Sequence, residues 1–136
     1  MKTLYIIAMI ELVMMSTGCA GTSLGDVRNT APLQTATIQA EPTPLANCVR
    51  QHIETDSWRF GQPVVHSTDQ ANLPIRVHAM YSRSTLFEFA FHPVAPNASL
   101  VEYRRSYDGY GTQEQAWGII ERCATQLSGA STKTTP

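Results

Sequence analysis

Apolar and polar positions keep a strict two-residue rhythm through the second half of this chain. Over 74–81, Ile75, Val77, Ala79 and Tyr81 face one way and Arg76, His78 and Met80 the other. Residues 86–94 repeat the pattern, with Phe87, Phe89 and Phe91 against Glu88, Ala90 and His92. Residues 99–107 set Val101, Tyr103 and Tyr107 opposite Leu100, Glu102 and Arg104. A period of two with one aromatic face predicts antiparallel strands covered on one side. Residues 64–67 add a shorter β-branched candidate, so the sheet is expected to hold three or four strands. The separators 82–85 and 96–98 are short enough for hairpins. Aligning the aromatic faces puts Phe91 opposite Val77 and Val101, and Glu88 opposite Arg104 on an exposed face.

On either side of this block the rhythm becomes helical. Thr43 is a favoured N-cap and Pro44 suits the first helical position. Leu45, Cys48, Val49, His52 and Ile53 then fall on one face of a helix that is expected to end near Asp56. After the turn Asp108-Gly109-Tyr110-Gly111, Thr112 with Gln115 three residues later reads as a capping box. Ala116, Trp117, Ile120, Cys123, Ala124 and Leu127 form an apolar stripe, and Ser128-Gly129 suits its end. The expected architecture is α+β: a three- to four-stranded antiparallel sheet with an N-terminal and a C-terminal helix packed on one face, over 44–128. The polar residues 129–136 read as a disordered tail.

The N-terminus does not fit either rhythm. Lys2 gives a positive start, residues 4–15 are almost wholly apolar, and the small residues Ser16, Thr17, Gly18, Cys19 and Ala20 follow. That is the layout of a signal peptide, expected over 1–18. With a cysteine directly behind Ser16-Thr17-Gly18, the segment resembles that of bacterial lipoproteins. The resemblance implies cleavage after Gly18, diacylglycerol attachment to the Cys19 sulfur and fatty acylation of the new N-terminus. Ser16, where Leu is usual, and Glu11 inside the apolar stretch depart from the pattern, and the alternative is an ordinary signal peptide cut after Ala20, for which Gly18-Cys19-Ala20 also offers small residues at the right spacing. Two or more acyl chains anchor a protein firmly. Ala20 behind the cysteine resembles lipoproteins passed on to the outer membrane. The implied setting is a bacterial cell envelope, with the domain facing the periplasm.

Residues 19–43 have no aromatic side chain and no sustained periodicity. Such composition predicts a flexible linker, which as a coil of this length spans roughly 25–30 Å. With Cys19 consumed by lipidation or lost with the signal, Cys48 and Cys123 remain, and two cysteines in an exported domain predict one disulfide.

Ten Lys plus Arg against eleven Asp plus Glu leave a net charge of −1, which argues against an electrostatic nucleic-acid binder. Apolar residues make up 43 % and charged residues 15 %, enough to build a core and too little charge for a disordered acidic chain. His52, His66, His78 and His92 show no metal-ligand spacing, so neither a metal nor another cofactor is expected, and no nucleophile elbow or phosphate loop suggests an enzyme. The unusual segment is 103–110. Its Tyr103, Arg104, Arg105 and Tyr107 are residue types enriched in binding hot spots, and Arg105 breaks the inward alternation. Together these features predict a small envelope lipoprotein that acts by binding a protein partner, as an accessory or assembly component. A periplasmic inhibitor or immunity protein is the alternative.

Overall fold

The computed structural model describes residues 22–131; the signal peptide expected over 1–18, the acceptor Cys19 and the tail residues 132–136 lie outside the described residues. In chain order the elements are α1 (Leu24–Arg28), β1 (Gln34–Ile38), α2 (Pro42–Thr55), β2 (Val64–Thr68), β3 (Ile75–Tyr81), β4 (Ser84–Ala95), β5 (Ala98–Arg105) and α3 (Gln113–Ser131). The strands make one antiparallel sheet in the order β1-β5-β4-β3-β2. The α+β class is as expected, with five strands rather than three or four.

The extra strand comes from the segment read as a linker over 19–43, so that expectation is corrected from Thr22 onward. β1 pairs with β5 through Ala36 opposite Val101, and only Gln34, Ala36 and Ile38 turn a half-buried side to the protein. An edge strand needs one hydrogen-bonded neighbour and little apolar surface, so its composition can stay polar. α1 begins at a reciprocal cap: the Ser23 hydroxyl accepts from the Asp26 N–H, and the Asp26 carboxylate accepts from the Ser23 N–H. One turn later Val27 is buried. The helical backbone also reaches Ser131, beyond the tail boundary expected at 129.

α2 and α3 cover the aromatic face of the sheet. Leu45, Val49, Ile53, Ile119 and Ile120 from the helices enclose Phe87, Phe89, Phe91, Val101 and Tyr103, all fully buried. Burying such side chains contributes about 1.5–3 kcal/mol each. Trp58 closes one end of this core, with its ring centroid 5.5 Å from that of Phe87 and its indole N–H donating to the Ile53 carbonyl at 2.9 Å. α2 starts at Pro42 behind Glu41 rather than at Pro44. Both prolines fit the first turn, where backbone N–H groups have no helical partner. The capping box at Thr112 does not form. Its hydroxyl donates to the Gly109 carbonyl, while the Gln115 side chain donates to the Ser57 carbonyl.

Registers follow the aromatic faces closely. Phe91 lies opposite Val101 and Glu88 opposite Arg104, as expected, but β3 is displaced by two residues so that Phe91 meets Ile75 and Phe89 meets Val77. The face of Glu88, expected to be exposed, is covered. α1 crosses it, and Arg28 grips the Glu88 carboxylate through Nε and a terminal nitrogen, at 2.7 Å for the shorter contact. Arg76 adds a bond of 2.8 Å, and Glu88 is only 1 % exposed. A buried carboxylate is tolerated when paired and fully hydrogen-bonded. Among the described residues no helix is long and apolar enough to cross a membrane.

Candidate functional site

The segment 103–110 leaves the sheet where β5 ends, and the pleat sends its side chains to four different places. Tyr103 points into the core, fully buried. Its hydroxyl sits 3.1 Å from the Thr112 hydroxyl, and burial pushes its pKa up to about 12 against the opposing effect of that hydrogen bond. Arg104 points to the opposite face, where it donates to Glu102 at 2.7 Å and to the Thr30 carbonyl at 3.0 Å. There burial works against the Glu102 carboxylate, but hydrogen bonds from Arg104 and His92 outweigh it and hold the carboxyl below its usual range. Tyr107 stands 88 % exposed on the loop. The four residues expected to share a binding surface are therefore not one cluster: Tyr103 and Arg104 have structural partners, and Arg105 and Tyr107 remain.

Arg105 continues the inward parity of Val101 and Tyr103, opposite Phe87, and is half-buried at the end of β5. Its Nε is buried without a hydrogen-bond partner, and its guanidinium carbon lies 5.1 Å from the centre of the Tyr110 ring. This pair forms one wall of a groove of about 550 Å³ between the β1 edge and the first turns of α3. Gln34, Trp117, Glu114 and Glu121 supply the other walls, and Gly118 opens its floor, where an added Cβ would meet nothing within 4 Å. Cationic, carboxylate and flat aromatic groups thus converge on one hollow. Of these, Gln34 was hidden in the polar stretch before α2, and Trp117 reads from its spacing as an ordinary core residue. The visible signal was the run Arg105 to Tyr110, which brings an arginine and two tyrosines to one strand end.

The loop carrying Tyr107 and Tyr110 is held from below. Gly109 sits so close to the β4 backbone that a Cβ would collide with the Leu86 carbonyl. Asp108 accepts from the Thr22 hydroxyl at 3.0 Å, and the Thr85 N–H donates to the Thr22 carbonyl at 2.9 Å. Hydrogen bonds from the Ser84 and Thr22 side chains hold the Asp108 carboxyl below the usual carboxylate range. The start of the described chain is therefore fastened between β4 and this loop.

Cys48 and Cys123 are joined in a disulfide, with Cα atoms 5.9 Å apart, and tie α2 to α3. His52 lies beside them, and the three ligand atoms fall within 4.8 Å of one another, but two bonded sulfurs are not thiolate ligands. His78 and Glu88 are cross-strand neighbours, while His92 pairs instead with Glu102 at 3.2 Å. His78 stacks on His66 with ring centres 5.1 Å apart. Burial lowers the His78 pKa; Glu88 opposes the shift, and the charges of His66 and Arg28 add to it. The chain matches no protein-family model and no curated protein sequence.

Proposed function

We propose that this chain is an exported envelope protein, lipid-anchored at Cys19, that acts by binding as an accessory or assembly component at the membrane. The groove of Arg105, Tyr110 and Trp117 carries this reading. It offers a guanidinium with an unsatisfied buried nitrogen, two flat aromatic surfaces and the carboxylates of Glu114 and Glu121 along one wall. That chemistry suits an extended protein segment that brings a carboxylate to Arg105 and donors to the helix side. The lipoprotein-like Ser16-Thr17-Gly18-Cys19 supports the anchoring, and the Cys48–Cys123 bond suits an oxidising compartment.

Two measurements on protein in its own membranes test the reading. Intact mass should fit cleavage before Cys19 plus acyl chains. A photo-crosslinking residue at Glu121, in the groove, should give a discrete adduct that Arg105→Ala abolishes, and one at Glu54, on the outward face of α2, should not. Equal adducts at both positions would remove the groove as the contact. A one-to-one complex with a soluble protein, formed equally well without acyl chains, would favour the inhibitor or immunity role.

A further inference from the structure

We infer that the end of the domain bearing Arg59, Tyr81, Arg83, Tyr107 and Tyr110 rests on the headgroup layer of the bilayer that holds the acyl chains. The inference depends on the anchoring at Cys19 proposed above, and it goes further by fixing which face meets the lipid.

Chain length is the first argument. Thr22 is already bonded to Thr85 and Asp108, so only Ala20 and Gly21 separate this fixed point from Cys19. Three residue steps extend to at most about 11 Å. A coil over 19–43 would have let the domain wander 25–30 Å in any orientation, by the usual scaling of flexible chains. With the anchor this short, the β3–β4 turn and the β5–α3 loop, which flank Thr22, cannot leave the neighbourhood of the headgroups, a layer itself roughly 5–8 Å deep.

What lies on that end is the second argument. Tyr81, Tyr107 and Tyr110 are 45 %, 88 % and 77 % exposed. The sheet topology brings them together, because β3 ends, β4 begins and β5 ends at the same end of the sheet. Phe60 packs edge-on against Tyr81 with ring centres 5.5 Å apart, and Arg59 and Arg83 are exposed beside them. Arg59 shares a hollow with Gly111 and Glu114, which places it at the same end. Tyrosines prefer the interface, with ring toward the acyl boundary and hydroxyl in water, and arginines pair with lipid phosphates. At the far end, the α2 start and the β2–β3 turn carry Glu41 and Asp69 and, among the described residues, no exposed tyrosine. The length of β5, eight residues, sets the two ends about 25 Å apart at roughly 3.3 Å per residue. The groove then opens sideways along α3, just above the lipid, toward partners that are themselves in the membrane.

The test uses the full-length protein, purified from its own membranes and reconstituted in phosphatidylethanolamine–phosphatidylglycerol vesicles with a headgroup-attached quencher. A fluorophore is placed through Tyr107→Cys or, at the far end, through Asn97→Cys, with the native disulfide intact. Quenching should be severalfold stronger at 107 than at 97. Inserting a Gly/Ser segment of about twenty residues between Gly21 and Thr22 should erase that difference, since the added coil reaches about 25 Å. Equal quenching at 107 and 97 in a protein whose mass shows acyl chains overturns the orientation and leaves the anchoring standing. A mass without acyl chains on Cys19 overturns both.

Discussion

Gly109 shows how much of the loop after β5 hangs on a single missing side chain. Its amide donates to the Ser106 hydroxyl and it lies flat against β4, so that any Cβ runs into the Leu86 carbonyl, a backbone atom that cannot turn away. Gly109→Ala should therefore cost about 2 kcal/mol or more, in the range of overpacked sites. Gly118→Ala meets open space in a helix interior and should be neutral or stabilising by up to about 1 kcal/mol. Urea unfolding midpoints of the two variants check the contrast. If both variants unfolded alike, the close approach at Gly109 would be wrong. The sequence marks Gly109 as a turn residue, and neither this contact nor the open space at Gly118 can be read from it, because both depend on what another element places nearby.

Among the elements, the ones legible in advance were those that bury a repeating stripe. β3, β4 and β5 announce themselves through Val77, Phe87, Phe89, Phe91, Val101 and Tyr103, and α2 and α3 through residues that are indeed buried, such as Val49, Ile53 and Ile120. α1 and β1 carry no such stripe. α1 is shorter than two turns and earns its place through Val27, the Ser23–Asp26 cap and the Arg28–Glu88 pair. The Ser23-x-x-Asp26 spacing was the one local sign of it. Missing α1 also misplaced Glu88, since a carboxylate on an alternating strand reads as solvated until something covers it. The same roof bears on His78, which faces Glu88 across the strands, stacks on His66 and is 8 % exposed. Its imidazole binds a proton less readily in the fold than at the ordinary value of 6.5. Between those two pH values the unfolded chain holds more protons, so stability is complete above about 6.5 and declines as the pH falls below it. Thermal melts across this window should show the decline, and His78→Gln should flatten it. An unchanged slope in the variant would mean that another group is responsible.

At the level of the whole molecule, one covalent bond joins the first long helix to the last. The Cys48–Cys123 separation of 75 residues corresponds to about 4 kcal/mol in the chain-entropy account. Cys48→Ser and Cys123→Ser should therefore destabilise about equally, and the double variant hardly more than either, as measured by denaturant midpoints. Additive losses would show that each sulfur acts alone. The pairing was readable from cysteine number and helix phase, because each cysteine falls on a helix stripe that faces the sheet. The groove was not, because Gln34 and Trp117 meet Arg105 only once β1 has docked on β5.

The same bond has a mechanical consequence. Suppose the N-terminus is held and a partner pulls on the outer end of α3. Tension enters at Thr22, runs to Cys48, crosses the sulfurs to Cys123 and leaves along α3. β2, β3, β4 and β5, which lie between the two cysteines in sequence, are outside that covalent path, and β4 and β5 are loaded only through their bonds to α1, β1 and Thr22. Pulling that strips α1 and β1 and unwinds the start of α2 as far as Cys48 releases 26 residue steps from Thr22, a contour of about 90 Å at ~3.5 Å each, before it meets a covalent stop. Past that stop the load passes through the disulfide, and four strands of the sheet lie outside the covalent path.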